Sequence, residues 1–503
     1  MNIYPTLKEI RGLAQRGFPL IPVGIEIPAD TLTPVNAFLR LRASGSTHTF
    51  LLESADGGEE VGRYSYLGID PFASLISKAG QLTFHNFVTD QKETQDTSFA
   101  AVGAYLERYK TPKLQGFPPF VGGAIGYFGY DCVRYLERLP ETEAGNAPNE
   151  LNFMFFGTTL AFDRLRHRLY IVTLIPGDAA DLETAVNEAE ARLIQIKKRL
   201  LTAPGPDEIL DLSLSDLSRI EPVAAETMLG QEQYIEAVGT IKEHIRRGDI
   251  FQCVLSDRFR FPVKADSFTI YRILRMINPS PYLYYLGFGD EILLGSSPEM
   301  LMRATGSTVE TCPIAGTRPR GKDMDEDRKM ERDLLASVKE RAEHLMLVDL
   351  GRNDIGRVAK PGSVEVKSFM HVERYSHVMH IVSQVAGQLK SGTSTWEAFG
   401  ACFPAGTLTG APKIRAMEII SKLEKKARGP YGGAIVCKDF AGDLNSCITI
   451  RSLFLRDGYG YAQAGAGVVA DSKPIKEYEE VLNKAKAVRT AVAAAERVQE
   501  GRG

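Results

Sequence analysis

The stretch GAIVCKDFAGDLNSCITIRSLFLRDGYGYAQAGAGVV, residues 433–469, decides the fold class. Its β-branched and aromatic runs, separated by turn residues, predict an antiparallel meander of three strands. The strands are Gly433–Lys438, Cys447–Leu455 and Tyr461–Val469, and the turn between the last two is Asp457-Gly458. Because side chains alternate across a strand, we expect Arg451 to lie mid-strand among apolar neighbours.

Helices should flank this meander. The predicted helices are Gln231–Arg247, Glu326–Leu350 and a third that follows Asp471-Ser472. Asp471 or Ser472 should cap the third helix, and Pro474 should stand in its first turn.

The second and third helices carry paired carboxylates one turn apart. The pairs are Glu340 with Glu343, beside His344, and Glu477 with Glu480. A solvated helix face with a Glu480–Lys484 ion pair is sufficient to explain this pattern. If the two ridges face each other instead, four carboxylates repel unless a hard cation lies between them, and magnesium is the natural choice.

Gly465-Ala466-Gly467-Val468-Val469-Ala470 ends a strand and precedes a helix, which matches the loose dinucleotide pattern. Pro474 and the acidic residues after it do not suit a helix that opens onto a pyrophosphate, so a nicotinamide site is disfavoured. The small residues still let backbone N–H groups approach a carboxylate, and Arg451 on the adjacent strand would clamp it. An edge-strand arginine that reaches solvent is the alternative.

Three further features carry polar groups without deciding a function. Gly406–Lys413 resembles a phosphate loop, but it has Pro-Lys where that motif requires Gly-Lys. Pro313–Gly321 is interpreted as a glycine-punctuated turn with a hydroxyl and two cations. His380 heads an apolar strand, where a lone histidine is more often a core residue than a catalyst.

The composition is balanced. The 503 residues include 60 basic and 63 acidic side chains, a formal net charge of −3, and 44% are hydrophobic. These figures exclude a disordered chain and a basic nucleic-acid binder. At ~100–200 residues per domain the length suits about two to four domains or one large α/β body with sub-layers. A composition shift predicts a first domain at 1–205, a linker at 206–230, a second domain at 231–490 and a tail at 491–503.

No apolar run reaches the ~20 residues of a membrane span, and the most apolar stretches, Phe120–Tyr130 and Leu151–Phe162, predict core strands. No secretory signal is visible at the N-terminus. Six cysteines without a C-x-x-C spacing argue against a disulfide framework and a zinc knuckle. We therefore expect a cytoplasmic protein that contacts neither membrane nor nucleic acid.

Taken together, these segments resemble the chorismate-utilising enzymes. The resemblance is strong over about residues 230–487 and thinner before them, and it rests on several long motifs in the family's order. The motifs are Pro313–Gly321, Ala342–Asp354, Phe403–Lys413, Gly429–Gly433 and Ala462–Val468. The resemblance implies an α+β fold with a core of antiparallel sheets packed as a sandwich, helices outside and the active site between them.

The resemblance also implies which residues hold the substrate and the metal. The carboxylates of chorismate would be held by Gly316, Thr317, Tyr431, Arg451, Gly465, Ala466 and Gly467, with Lys484 assisting. Glu343 and Glu480 would ligate magnesium (Mg2+), with Glu340 and Glu477 as their neighbours.

For the chemistry, the resemblance implies an acid that protonates a departing hydroxyl, and Glu299 stands at that position. His380 and Thr407 would line the same end. A base must then remove the proton on carbon 2, and His380 is favoured because an imidazole suits proton transfer at neutral pH.

Two positions discriminate between the nucleophiles that family members add. Relatives that make isochorismate or salicylate carry a lysine where this chain has Gln252, and relatives that make aminodeoxychorismate commonly carry one in place of Ala315. The absence of lysine at both positions favours direct addition of ammonia. The products would then be anthranilate and pyruvate, in tryptophan synthesis. Formation of aminodeoxychorismate in the folate pathway is the alternative, because some of those enzymes lack that lysine.

The chain has no nucleophile-elbow cysteine with a downstream His and Glu to act as a glutaminase. Ammonia should therefore come from glutamine through a separate glutamine amidotransferase subunit. We expect a hetero-tetramer of two large and two small subunits.

Two segments from different halves, Leu51–Ala55 and Asn278–Tyr285, would form a remote pocket for L-tryptophan as a feedback inhibitor, again by resemblance. Its predicted residues are Glu53, Ser54, Pro281, Tyr282 and Leu283, with Gly295 and Cys447 nearby. Leu283 replaces the commoner methionine, a change that conserves shape. An ordinary strand end is the alternative for the first segment, and a catalytically silent tryptophan-sensing subunit is the alternative for the whole chain.

Overall fold

The computed structural model describes residues 3–55, 62–141, 148–202, 210, 212–217, 219–374 and 378–501. The α-helices are α1 (Leu7–Gln15), α2 (Pro34–Arg42), α3 (Phe99–Leu106), α4 (Leu182–Thr202), α5 (Leu214–Leu217), α6 (Gly230–Arg246), α7 (Ser267–Ile277), α8 (Met324–Ala336), α9 (Val338–Val358), α10 (Thr395–Cys402), α11 (Lys413–Glu424) and α12 (Pro474–Glu500). Two short 3-10 helices cover Tyr130–Tyr135 and Gly406–Leu408.

The strands of the first half are β1 (Leu20–Pro28), β2 (His48–Glu53), β3 (Tyr64–Ile69), β4 (Ala73–Lys78), β5 (Gln81–Asn86), β6 (Gln91–Asp96), β7 (Gly123–Phe128), β8 (Leu151–Phe156), β9 (Thr158–Asp163) and β10 (Arg168–Pro176). The later strands are β11 (Glu226–Thr227), β12 (Gln252–Pro262), β13 (Tyr282–Phe288), β14 (Ile292–Ser297), β15 (Met300–Thr305), β16 (Thr308–Thr311), β17 (Ile314–Pro319), β18 (Glu365–Arg374), β19 (Val378–Gln388), β20 (Gly410–Ala411), β21 (Ala434–Asp439), β22 (Leu444–Ile448), β23 (Ser452–Arg456) and β24 (Tyr459–Val468).

The strands form two twelve-stranded sheets. The first has the order β1-β10-β9-β3-β2-β13-β14-β23-β24-β12-β11, with β20 paired to β12. The second has the order β17-β19-β16-β15-β22-β21-β7-β8-β4-β5-β6, with β18 paired to β19. Every pairing between described strands is antiparallel.

An apolar layer lies between the two sheets and holds them face to face. Phe50 and Leu286 of the first sheet pack in one cluster with Tyr127 and Met154 of the second. Helices cover the outer faces: α6, α7 and α12 join the apolar cluster of the first sheet, and α9 and α10 join that of the second. The predicted α+β class, a sandwich of antiparallel sheets with helices outside, is confirmed.

Each sheet combines strands from both halves of the sequence. In the first sheet, Glu53 of β2 is opposite Leu283 of β13. In the second, Gly126 of β7 is opposite Val436 of β21. The predicted domain boundaries stay predictions, and residues 206–209, 211 and 218 of the predicted linker lie outside the described residues.

The predicted strand Cys447–Leu455 is wrong. The chain forms β22 in the second sheet, leaves it at Thr449, and starts β23 in the first sheet at Ser452. Arg451 is therefore not mid-strand: it lies at the crossing, with a left-handed φ of 52°. The turn at Asp457-Gly458 is confirmed, since both residues have the positive φ of a tight hairpin turn.

Three local predictions need correction. The helix Glu326–Leu350 is broken at Ser337, whose hydroxyl accepts a hydrogen bond from Glu340 N and so caps α9. Neither Asp471 nor Ser472 caps α12, whose N-cap is Lys473, although Pro474 does stand in the first turn. The segment predicted as a turn around Gly316 is strand β17 with a bulge.

Two other predictions hold. Helix α6 lies where Gln231–Arg247 was predicted, and both apolar stretches of the first half form buried strands. Within the described ranges, no helix is both long enough and apolar enough to cross a membrane.

Candidate active site

One large cavity, of about 450 Å³, gathers nearly all the predicted site residues. Strands β12, β17, β19 and β24, helices α9 and α12 and the 3-10 turn at Gly406–Leu408 contribute its walls. The predicted residues that line it are Gln252, Glu299, Gly316, Thr317, Glu340, Glu343, His380, Thr407, Tyr431, Arg451, Gly465, Gly467, Glu477, Glu480 and Lys484. Ala466 is the exception: it is fully buried and packs in the apolar cluster on the helix side of the first sheet.

Glycines of β24 make room for two of these side chains. A Cβ at Gly465 would lie 2.9 Å from the Tyr431 hydroxyl, and a Cβ at Gly467 would lie 2.5 Å from Gln252 Nε2. Any side chain at either position would displace Tyr431 or Gln252 from the cavity wall. The two glycines therefore let neighbouring side chains approach one face of the strand closely, and Ala466 packs in the core on the other face.

Glu299 has the environment of a proton donor. It follows β14, and its Oε1 accepts a hydrogen bond of 2.8 Å from the Thr407 hydroxyl. Burial raises the pKa of Glu299 to about 7, and the Thr407 hydrogen bond and the charge of Lys484 oppose that rise. The carboxyl is thus half protonated near neutral pH, which suits general acid catalysis.

His380 has a defined tautomer. Its Nδ1 lies 2.9 Å from the carbonyl oxygen of Gly316, which can only accept, so Nδ1 carries the proton and Nε2 the lone pair. The Thr317 hydroxyl is 3.1 Å from the same Nδ1. Burial lowers the pKa of His380, so the ring is neutral at neutral pH and its Nε2 is free of a proton. The bulge at Gly316, where φ is 70°, turns that carbonyl toward the ring.

Cationic and hydroxyl groups line the β24 side of the cavity. Lys484 donates a 2.9 Å hydrogen bond to the carbonyl of Gly465, and Arg451 and Tyr431 stand beside the same strand. Burial lowers the pKa of Arg451. Because the pKa of an arginine lies far above neutrality, the guanidinium still stays charged. These donors match a substrate that bears carboxylates.

The two carboxylate ridges do face the same cavity. Burial raises the pKa of Glu343, and the charges of Glu340, Asp471 and Glu480 raise it further, against the effect of Lys339. Burial likewise raises the pKa of Glu477, with a contribution from Glu480. The predicted Glu480–Lys484 ion pair is also present, at 2.7 Å. The alternatives are therefore not exclusive: the ridges line the same cavity, and Glu480 is also paired with Lys484.

The carboxylates suit a cation that takes its remaining ligands from water and substrate. No three acidic, histidine or cysteine side chains of the described residues are grouped closely enough to hold a metal ion alone. Glu340 is already held by Arg318 at 3.0 Å, whereas Glu343 has only the Lys339 ammonium, at 3.8 Å. Magnesium commonly takes one or two carboxylates and completes its shell with water and substrate oxygens, which is the donor set available here.

Sequence reasoning missed several lining residues, among them Lys339, Gln463 and Ser472. Lys339 lies four residues before Glu343 on α9 and also approaches Asp471 at 3.8 Å. The i,i+4 spacing was a usable signal for Lys339. Gln463 lies within the motif Ala462–Val468, but its burial depends on the pairing of β24 with β12, which the motif does not give.

A second cavity, of about 110 Å³, gathers the predicted inhibitor residues. Those that line it are Glu53, Ser54, Pro281, Tyr282, Leu283 and Cys447. Gly295 does not line the cavity and lies behind it, opposite Tyr284 in the pairing of β13 with β14. The Glu53 carboxylate accepts from the Tyr271 hydroxyl at 2.8 Å and from Arg275 at 3.3 Å.

Comparison with known sequences gives near full-length matches. A family model described as chorismate binding enzyme matches residues 47–490. Anthranilate synthase component 1 of Acetivibrio thermocellus is 45% identical over 491 residues, which cover 97% of this chain and 98% of that protein. The protein of the same name from Aquifex aeolicus is 40% identical, with 99% and 100% covered.

Two solved structures also match this chain over most of its length. Anthranilate synthase component I from Streptococcus pneumoniae TIGR4 matches with a TM-score of 0.75 and 35% identity, covering 92% of this chain and 99% of that one. The menaquinone-specific isochorismate synthase of Escherichia coli matches with a TM-score of 0.69 over 97% of this chain and 99% of that one. Its identity is 16%, so it shares the fold alone.

Proposed function

The chain belongs to the chorismate binding enzyme family, and we propose that it is a lyase that converts chorismate and ammonia to anthranilate and pyruvate. This is the first committed step of tryptophan synthesis. The names of its full-length relatives support the activity. The observation that carries it is the one cavity in which an acid, a neutral histidine, cationic donors and a carboxylate pair converge.

Two uncharged residues in that cavity favour ammonia as the nucleophile. Gln252 and Ala315 both line the wall, at the positions where family members that add water or use a lysine nucleophile carry lysine. A methyl group neither attacks nor deprotonates the substrate, and an amide does not act as a base at neutral pH. Ammonia needs no such activation, because it is itself a nucleophile.

In the first step, ammonia adds at carbon 2 of chorismate and the hydroxyl at carbon 4 leaves. Glu299 gives its proton to that hydroxyl, which departs as water, and the Thr407 hydrogen bond holds the carboxyl in place. In the second step, the Nε2 atom of His380 removes the proton on carbon 2. The bond from carbon 3 to the enolpyruvyl oxygen then breaks and the ring becomes aromatic. The released enolpyruvate takes a proton from solvent on its methylene carbon and becomes pyruvate.

The remaining residues bind and orient the substrate. Arg451, Tyr431, Thr317 and the backbone of Gly465–Gly467 hold the carboxylates of chorismate, and Lys484 fixes the Gly465 carbonyl. Glu343 and Glu480, with Glu340 and Glu477 beside them, would hold Mg2+. When bound, the metal would supply positive charge that neutralises and orients the ring carboxylate.

We assign the second cavity to L-tryptophan as a feedback inhibitor. Glu53 offers a carboxylate to an ammonium group, and Pro281, Leu283 and Cys447 offer apolar surface to an indole. The position is remote from the acid and the base, so inhibition requires two conformations of the protein.

The name component 1, carried by the relatives, implies a second component. We propose a glutamine amidotransferase subunit that supplies ammonia, in a cytoplasmic hetero-tetramer of two large and two small subunits. The purified chain alone should therefore use ammonium salts and leave glutamine untouched; glutamine-dependent turnover by the chain alone would contradict this proposal.

Anthranilate is fluorescent, which gives a direct test. The purified chain is mixed with chorismate, magnesium and an ammonium salt, and fluorescent product is expected. An aminodeoxychorismate enzyme or a silent tryptophan-sensing subunit would give none. The matched control is the same protein with Glu299→Gln, which should bind chorismate and form product far more slowly.

A further inference from the structure

We propose that Tyr284 and Ser452 form a hydrogen-bonded clamp that positions Arg451 and connects the wall of the second cavity to the active-site cavity. The proposal rests on the proposed function, which assigns Arg451 to a carboxylate of the substrate. Neither Tyr284 nor Ser452 has a role in the chemistry described above.

Arg451 needs to be held because its backbone conformation is one that residues with a Cβ rarely adopt. Its φ of 52° lies in the left-handed region, at the point where the chain crosses from β22 to β23. Non-glycine residues persist there only when their surroundings fix them. The direction of the Arg451 side chain into the cavity therefore depends on the hydrogen bonds on either side of it.

Two hydrogen bonds fix the backbone around Arg451. Ser296 N donates to the carbonyl oxygen of Arg451 at 3.2 Å. The Ser452 hydroxyl donates to the carbonyl oxygen of Ile450 at 2.8 Å, which closes a short loop around Arg451.

Tyr284 completes the clamp from the neighbouring strands. Its hydroxyl lies 2.5 Å from Ser452 Oγ. Because Ser452 gives its only hydroxyl proton to Ile450, Tyr284 is the donor in this bond. Tyr284 is 1% exposed, so its hydroxyl has no water to replace the serine.

The clamp spans the wall between the two cavities. Tyr284 lines the second cavity and Arg451 lines the active site, and Ser452, the residue after Arg451, contacts the Tyr284 hydroxyl. Gly295 leaves room for the contact: a Cβ there would lie 2.5 Å from the Tyr284 hydroxyl and 2.9 Å from Ser452 Oγ. A ligand that moves the Tyr284 ring therefore acts on the segment that fixes Arg451.

The test compares Tyr284→Phe and Ser452→Ala with the wild type in the anthranilate assay. Each variant should raise the KM for chorismate roughly three- to tenfold, as expected when one buried hydrogen bond is lost, with kcat changed less than twofold. Tyr284→Phe removes the bond between the two hydroxyls, whereas Ser452→Ala removes that bond and the Ser452–Ile450 bond as well. The double variant should therefore be no worse than Ser452→Ala alone. Saturating tryptophan should raise the chorismate KM less in these variants than in the wild type.

Tyr285→Phe is the matched control. Tyr285 loses the same kind of hydroxyl bond, to Ser267 at 2.8 Å, but it packs on the other face of β13. Its KM and its response to tryptophan should equal those of the wild type. Gly295→Ala, which leaves both clamp residues in the chain, should reproduce the higher KM.

If Tyr284→Phe and Ser452→Ala lower the melting temperature but keep the wild-type KM and tryptophan response, the bond is only structural and the clamp is refuted. That result leaves the proposed function intact, because the wild type still forms anthranilate in the same assay. A wild type that forms no anthranilate overturns the proposed function instead, and with it the role given to Arg451.

Discussion

At the scale of single residues, Glu299 should set the alkaline limit of the reaction. Its pKa of about 7 means that the acid is protonated below neutrality and is lost as pH rises. Plots of kcat against pH should therefore fall above about pH 7. Thr407→Val removes a hydrogen bond that lowers this pKa, so the falling limb should move to higher pH.

Glu299→Gln is the control for that assignment, because the amide keeps the shape and has no proton to lose. It should lower kcat roughly 10²–10⁴-fold and remove the alkaline limb. A Glu299→Gln enzyme that retains the same falling limb would assign the limb to another group.

His380 should act only after the amine has been added. In His380→Gln the first step stays available, but the proton on carbon 2 lacks its base, so a non-aromatic aminated intermediate should accumulate. Chromatography of the reaction mixture would detect it, and kcat for anthranilate should fall roughly 10²–10⁴-fold. Normal anthranilate formation by this variant would remove His380 from the mechanism.

At the scale of elements, an ion pair fixes helix α9 to the start of α11. Lys413 Nζ lies 2.8 Å from Asp354 Oδ2, and both side chains are nearly buried. This pair joins the helix that carries Glu343 to the end of the segment that carries Thr407. Asp354→Ala leaves the ammonium unpaired and should cost about 3 kcal/mol in the free energy of unfolding, measured with urea.

Asp349→Ala is the matched control on the same helix. Asp349 pairs with Arg352 at 3.2 Å, but both side chains are more than half exposed. Loss of an exposed pair should change the free energy of unfolding by less than about 1 kcal/mol. Equal losses in the two variants would mean that burial does not strengthen the Asp354 pair.

The elements also show where sequence reasoning succeeds and fails. The turn at Asp457-Gly458 was predictable, because both positions require positive φ and the residues permit it. The crossing at Arg451 was not, because Thr449 and Ile450 are β-branched and continue the strand pattern through the break. Which sheet a strand joins depends on partner strands that are distant in sequence, and a local sequence pattern carries no information about them.

For the site, the resemblance to the family named residues of which nearly all line the cavity, and the orientation of each side chain was the part left unknown. Ala466 shows this, since it belongs to the Gly-Ala-Gly motif and yet packs in the core. The alternation along β24 fixes that outcome once the faces are known. The acid strength of Glu299 was likewise invisible, because it depends on burial by residues far apart in the chain.

At the scale of the whole molecule, tryptophan and chorismate should weaken each other's binding by the same factor. Linkage requires this reciprocity if each ligand favours a different conformation. Calorimetric titration of tryptophan should therefore give a weaker affinity in saturating chorismate, most simply with Glu299→Gln to prevent turnover. An unchanged tryptophan affinity would contradict feedback through the second cavity.

The interleaving of the two halves also constrains how the protein is made. Gly126 of β7 pairs with Val436 of β21, which leaves the ribosome 436 − 126 = 310 residues later. At ~5–20 residues per second, one edge of β7 waits roughly 15–60 s for its partner. Unpaired strand edges recruit other chains, so each nascent polypeptide is exposed to aggregation for that whole interval. Chaperone supply during translation, rather than the stability of the finished fold, should therefore limit how much of this protein a cell can accumulate.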